Sequence, residues 1–360
     1  MMKKKILVTG GAGFIGSNFC NFNKYKYDIV ALDNLFLGDA SNLEKGVKFV
    51  RGDACNKSDL VKCAHSISAG ASGSNFDYVV HFAGTSSAPM FMDLDDKDQR
   101  SKIKDQKTEK REERRESNFV QGYVNSIQSF CQTLEYARGC GAKKFLYAST
   151  SSLYGNNPMP LVETQNIKPL NHYSVTKFCY EHCAEIYNKV YPEIEIVGFR
   201  FMSVYGPHEE AKGRYANMIS QFIWDAARDL SPVIYGDGDQ FRDFTNVADV
   251  VQGITRAIET DKKLGNKVYN IGTGQCCSFN EILKEINAAM KKNIRPIYIS
   301  NPVKEGYVRG QHADISKIVS ELGYKPTIDL KTGIAHQVKN LDISKIRETS
   351  SDLIRGKFTS

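Results

Sequence analysis

The 360-residue sequence contains no run of about 18 apolar residues, which excludes a membrane-spanning helix. Its nine cysteines (Cys20, Cys55, Cys63, Cys131, Cys140, Cys179, Cys183, Cys276, Cys277) form no C-x-x-C pair. That argues against a zinc site or a disulfide framework, so no metal and a reducing, cytoplasmic setting are expected. The basic start, MMKKKILVTGG, runs into glycines after a short apolar stretch and is not expected to be a signal peptide. Lys/Arg-rich stripes interleaved with aromatic residues are missing too, so no nucleic-acid partner is expected despite a formal charge of +7. There is no internal repeat. Charge is 25% of the chain but very unevenly placed: between residues 93 and 116, 18 of 24 residues are charged, nine of each sign. With one Leu, one Ile and no aromatic residue, that stretch cannot bury a core face. It reads as a surface insertion, with a lid or partner-binding arm as the alternative.

What the sequence does contain is βα alternation. Short apolar runs at 4–10, 28–33, 47–50, 78–82, 144–148, 194–201 and 268–271 predict strands, and helical patterns fall at 17–23, 121–137, 173–191, 215–228 and 278–290. This order implies an α/β fold with a doubly wound parallel sheet of the Rossmann type. Beyond Phe201 the rhythm changes, with Gly-Pro, Ser-Pro and Gly-Asp-Gly turns breaking shorter elements. We therefore expect a nucleotide-binding domain over 1–200, with 240–275 returning to it. A smaller substrate lobe would span 201–335, and a polar, peripheral tail 336–360.

Thr9-Gly10-Gly11-Ala12-Gly13-Phe14-Ile15-Gly16 follows the first strand and opens a helix. Glycines alone mark any tight turn, but in this context they let backbone approach a pyrophosphate at a helix N-terminus. Asp33 ends the second strand 17 residues beyond Gly16, where a carboxylate bonds ribose hydroxyls. Its charge repels a 2′-phosphate, and residues 34–39 (NLFLGD) offer no Arg or Lys to accept one, so NAD is expected over NADP. Asp53 reads equally as an adenine contact or an ordinary strand-end acid.

Tyr173 and Lys177, in Tyr-x-x-x-Lys, share a helix face. A neighbouring ammonium favours the phenolate and is expected to lower the phenol pKa. The bare pattern also arises by chance as an exposed pair. Its context is the hydroxyl-rich Ala148-Ser149-Thr150-Ser151-Ser152-Leu153-Tyr154-Gly155, directly after a predicted strand. A hydroxyl, a phenol and a lysine beside a nicotinamide suit hydride transfer at a carbinol carbon.

These residues resemble the extended short-chain dehydrogenase/reductase family, specifically its nucleotide-sugar epimerases. The motifs are TGGAGFIGS, LDNL, VVHFAG, YASTSSLYG, Y-x-x-x-K, FRFMSVYGP, IYGDGDQFRDFTNVADVV and NIGTG, and they span most of residues 4–333 apart from the charged stretch. The resemblance implies an NAD site lined by Gly10, Gly13, Phe14, Ile15, Gly16, Asp33, Asn34, Asp53, Ala54, Ala83, Gly84, Tyr173 and Lys177. It implies that Thr150, Tyr173 and Lys177 are catalytic, and that Ser151, Ser203, Lys212, Asn217, Arg242 and Arg309 contact the nucleotide-diphosphate sugar. Arg242 would hold the diphosphate, for which a planar, permanent cation is well suited. A homodimer is also implied, since family members pair through two helices of the NAD lobe.

Three departures bear on the chemistry. Sugar dehydratases of this family are expected to carry Asp-Glu after the Thr, and decarboxylating relatives a Glu; here Ser151-Ser152 supply no acid. Ser203 stands where relatives carry an Asn, and Asn125 falls one residue before its expected place, which Ser126 occupies. The resemblance therefore points to epimerisation of UDP-glucose and UDP-galactose through a transient 4-keto sugar and NADH. ADP-heptose 6-epimerases are the alternative, because Pro207-His208-Glu209-Glu210-Ala211-Lys212-Gly213 is similar to a stretch whose Lys is a second acid/base there. By residue type alone, Lys212 on a loop belongs in solvent. A non-catalytic NAD-binding sensor or scaffold and a simple dehydrogenase are the competing classes. Cys179 and Cys183 read as core packing, Cys276-Cys277 as inert, His81 as structural, and His208 and His312 as lying off the substrate.

Overall fold

In the computed structural model the chain is described over residues 3–66, 75–91, 118–301 and 307–358. The charged stretch 93–116 lies outside the described residues. Seven parallel strands make the central sheet: β1 (Lys5–Thr9), β2 (Asp28–Asp33), β3 (Lys48–Arg51), β4 (Tyr78–His81), β5 (Lys144–Thr150), β6 (Glu195–Phe201) and, later in the chain, β11 (Asn266–Ile271). Their order is β11-β6-β5-β4-β1-β2-β3, so the winding direction reverses between β1 and β4. Among the described residues there are also three two-stranded sheets. β7 (Ser203–Tyr205) pairs with β10 (Phe244–Asn246), β8 (Val233–Tyr235) with β13 (Ile297–Ile299), and β9 (Phe241–Arg242) with β12 (Cys277–Ser278).

Strand alternation builds a core on each face. Ile6 and Val8 of β1 pack with Phe19 and Val251, whereas Leu7 faces Val79, Phe145 and Tyr180. The helices on these faces are α1 (Phe14–Asn23), α2 (Lys57–His65), α3 (Asn118–Tyr123), α4 (Ser129–Gly139) and α5 (His172–Val190). A π turn, Val124–Gln128, joins α3 to α4. The predicted helix over 215–228 starts late: Glu210–Tyr215 is a short 3₁₀ segment, and α6 (Met218–Ala227) begins after it. Gly213 at φ 49° interrupts helical geometry, and Asn217 caps α6 by accepting a hydrogen bond from Ile219 N at 3.0 Å.

Next come α7 (Val247–Glu259), α8 (Phe279–Met290), α9 (Ser316–Leu322), α10 (Leu330–Lys339) and α11 (Ser350–Phe358). α6, α8 and α10 enclose a third core around Phe222, Trp224, Phe279 and Ile334. The tail is not peripheral: Thr349 and Ser351 are fully buried, because α11 docks on α6 and β8 through polar contacts that hydropathy cannot register. No described helix is long and apolar enough to cross a membrane.

Candidate active site

The carboxyl ends of the strands open into a cavity of about 480 Å³ at the β1/β4 reversal, a size suited to a small-molecule ligand. All fourteen residues expected at NAD or in catalysis line it, as do Ser151, Ser203, Lys212 and Asn217.

At one end the glycine loop closes on itself. Gly10 takes φ 69° and donates to Leu32 O at 2.8 Å. A Cβ on Gly16 would stand 2.1 Å from Gly10 O, so only glycine permits this turn. No side chain caps α1 and no acid occupies its first turn, leaving its positive end for an anion. Asp33 is buried, and its oxygens accept from Ala12 N at 3.0 Å and Leu35 N at 2.8 Å. Burial pushes its carboxyl up, and these amides oppose that. Phe36, Leu37 and Gly38 complete this wall with no basic residue. A cradle that excludes Cβ, an open helix end and a strand-end carboxylate together fit NAD. Asp53 accepts from Cys55 N at 2.8 Å and from Asn34 Nδ2 at 3.2 Å, which fixes both side chains at the cavity.

At the other end, an Asn171–Ser174 capping box sets the start of α5 and therefore the height at which Tyr173 and Lys177 emerge. The Thr150 oxygen accepts from Ser152 N at 3.2 Å, and its hydroxyl stands beside the Tyr173 phenol, where it favours the phenolate. The expected lowering of the phenol by Lys177 does not occur. Burial pushes Tyr173 up and only the Thr150 hydroxyl opposes it. Lys177 Nζ lies 4.3 Å from the Tyr180 ring centroid and 5.9 Å from that of Tyr173, and burial brings the ammonium down to about 7. A lysine so placed carries only part of a charge at neutral pH.

This shift has a stability consequence. Below about pH 7 folded and unfolded chains both hold the Lys177 proton, and the cost of burying the charge is fully present. Between about 7 and the ordinary 10.5 the unfolded chain keeps a proton the folded one has released, so stability rises with pH. In NAD-free protein, Lys177→Met is expected to flatten that rise in denaturant midpoints measured from about pH 7 to pH 9. Parallel wild-type and variant profiles would contradict it.

Sequence reasoning missed the groups that hold α5. Glu181, one further turn along the Tyr173/Lys177 face, receives Arg200 Nη2 at 2.7 Å and Ser149 Oγ at 2.5 Å in a buried cluster. It pins the catalytic helix to β5 and β6, and the i, i+4, i+8 spacing of 173, 177 and 181 was the available signal. The π turn accounts for the displaced Asn125. Its wider turn accommodates one extra residue, so Asn125 faces the cavity, while Ser126 is buried and its carbonyl accepts from Tyr180 Oη at 2.7 Å.

The remaining assignments divide. Lys212 is not solvated: its side chain is 16% exposed, 3.3 Å from the buried Glu209 carboxylate and 5.2 Å from the Phe14 ring centroid. Asn217 lines the cavity with its amide engaged, Oδ1 capping α6 and Nδ2 donating to Val204 O at 3.0 Å. Arg242 and Arg309 are not brought into the lining. The Arg242 guanidinium is taken up by the carbonyls of Phe241, Val308 and Arg309, and Arg309 pairs with Asp237 at 2.9 Å in solvent. His81 bonds Thr9 Oγ1 at 2.8 Å, His208 bonds Ser17 Oγ at 2.9 Å and His312 bonds Gly274 O at 3.0 Å; none lines the cavity. Cys183 is exposed rather than core, because its helix face meets solvent there.

Known proteins share this fold. The model of the NAD dependent epimerase/dehydratase family matches residues 6–104 and 111–272. A Methanocaldococcus jannaschii protein, provisionally named a UDP-glucose 4-epimerase, is 33% identical over 336 residues, which is 92% of this chain and 97% of that protein. Among solved structures, UDP-glucuronic acid 4-epimerase from Bacillus cereus, in complex with UDP-glucuronic acid and NAD, superposes with a TM-score of 0.77. It is 28% identical, with 94% of this chain and 100% of that one covered. The Helicobacter pylori ADP-L-glycero-D-manno-heptose-6-epimerase gives a TM-score of 0.75 at 28% identity, covering 94% and 97%.

Proposed function

Because this chain belongs to the NAD dependent epimerase/dehydratase family and is an NAD-dependent nucleotide-sugar epimerase, we propose that it interconverts UDP-glucose and UDP-galactose at C4. One observation carries the choice of chemistry. Thr150, Tyr173 and Lys177 meet at the cavity with no acid beside them, since the only carboxylates among its described lining residues, Asp33 and Asp53, stand at the end of β2 and just after β3. Elimination of water would need a further acid and base there, whereas moving a proton and a hydride at one carbon does not.

NAD, when bound, supplies the hydride acceptor and donor for the sugar carbon. Tyr173 reacts as the phenolate, the form the Thr150 hydroxyl favours, taking the proton of the C4 hydroxyl and later returning it. Thr150, its oxygen held by Ser152 N, donates to the phenolate and favours that charged form before and after each proton transfer. Lys177, its Nζ 5.9 Å from the Tyr173 ring centroid, bonds the cofactor ribose. Asp33 holds the adenosine ribose, and the helix α1 N-terminus the pyrophosphate. Between the two transfers the sugar turns against the short side chains of Ser151 and Ser203, which line that end of the cavity. No net oxidation results, so the cofactor stays in place. Exposed Phe119, Val124, Phe178, Ile186 and Val190, carried by α3, the π turn and α5, support a homodimer as part of this reading.

Incubation with UDP-, GDP-, ADP- and CDP-sugars, read by NMR for product configuration, is expected to yield UDP-galactose from UDP-glucose. Net accumulation of reduced nicotinamide would instead identify a dehydrogenase. Lys212 in the cavity wall favours one second reading, an ADP-heptose 6-epimerase with Lys212 as a second acid/base. Exclusive turnover of an ADP-heptose in the same panel would select it.

A further inference from the structure

We propose that the C-terminal segment 346–358 braces the substrate-side wall of the cavity and so sets affinity for the nucleotide sugar; only the ligand's identity rests on the function proposed above. The wall in question is Glu210–Tyr215 with the two residues after it, and it presents Lys212, Tyr215, Ala216 and Asn217 to the cavity. A 3₁₀ segment this short, broken at Gly213, has little stability of its own. The tail supports it from behind.

Three contacts make the brace. Arg347 Nη1 donates to Ala211 O at 3.1 Å. At Gly213, the tail backbone comes so close that a Cβ would stand 3.0 Å from Glu348 O and 3.2 Å from Arg347 Cβ. Ser350 N and Oγ donate to Gln221 Oε1 at 2.8 and 2.7 Å, and Gln221 Nε2 donates onward to Ala216 O at 2.8 Å. The tail therefore reaches the wall before, at and after its non-helical glycine.

The brace is itself anchored. Asp225 of α6 is fully buried, and its Oδ1 receives Arg228 at 2.9 Å, Thr349 at 3.0 Å and Arg355 at 3.1 Å. Asp352 receives Arg228 at 2.9 Å and Arg355 at 2.6 Å, and Ser351 Oγ accepts from Val233 N at 3.0 Å. Arg228 and Arg355 each reach both carboxylates, so this cluster of two acids and two arginines fixes the tail in place. Arg347, by contrast, is exposed and makes one bond to the wall. It is a positioning residue that can be removed without unfolding the anchor.

The test uses the full-length protein with Arg347→Ala, Arg347→Lys and Gly213→Ala. Hydrogen exchange read by mass spectrometry over 208–221 is expected to speed up in Arg347→Ala and Gly213→Ala, with α5 and the thermal midpoint unchanged in Arg347→Ala. Loss of one such bond should raise KM for UDP-glucose roughly three- to tenfold, with kcat and NAD binding little altered and Arg347→Lys partly restoring KM. Unchanged exchange in both alanine variants overturns the brace. Faster exchange with an unchanged KM overturns its role in affinity. If wild-type protein turns over no nucleotide sugar, the functional reading falls, while exchange still decides the brace and the Kd of UDP replaces KM.

Discussion

Tyr173→Phe is expected to lower epimerisation by roughly 10²–10⁴-fold, the range for removing a positioned acid/base, while NAD content and thermal midpoint stay at wild-type values. The substitution deletes one oxygen and keeps the ring. α5 is set by its capping box and by the Glu181–Arg200 pair, neither of which involves Tyr173, so the helix stays in place. What is lost is the phenol oxygen beside Thr150 at the cavity, the group proposed to exchange a proton with the sugar. Thr150→Val should cost less, since it removes a hydrogen bond to the phenolate worth about 1.5–3 kcal/mol, or roughly ten- to a hundredfold in rate. Product configuration by NMR and bound NAD by mass spectrometry are the measurements. Near-wild-type epimerisation by Tyr173→Phe would remove this residue from the reaction.

Gly16→Ala carries the second large effect, loss of NAD binding by tenfold or more. Its Cβ would sit 2.1 Å from Gly10 O and 2.9 Å from both Gly10 C and Gly11 Cα. All three are backbone atoms, so no side-chain rotation relieves the clash and the loop must leave α1. Overpacking of this kind costs about 1–3 kcal/mol even where side chains can adjust, and the displaced amides are those that face the pyrophosphate. Gly139→Ala, where nothing lies within 4 Å, is the matched control and should bind NAD normally. Equal NAD content in the two variants would refute the cradle.

What could be read from sequence was what contiguous residues encode. The glycine loop, Asp33 and the Tyr173/Lys177 pair each lie within one strand–turn–helix or one helical turn, where spacing fixes geometry. The groups that escaped were distant in the chain. Arg200 meets Glu181 across 19 residues, and Thr349 meets Asp225 across 124. Arg242 was placed by resemblance at a diphosphate, but its donors are taken by carbonyls 66 and 67 residues away, a matter of which loop happens to pass.

Sequence by itself therefore determined the sheet, the dinucleotide loop and the gathering of Thr150, Tyr173 and Lys177 at the cavity, because period and short motif act over a few residues. It also marked the charged stretch 93–116 as unable to form a core. Tertiary structure alone decided the state of those side chains. Burial raises the Tyr173 phenol and brings Lys177 to about 7, the reverse of what their spacing on a helix suggests for the phenol. A group's pKa depends on everything that excludes water around it, and those neighbours come from β4, β5, the π turn and α5 together. The same reason moved Lys212 out of solvent and buried Thr349 and Ser351 of a polar tail.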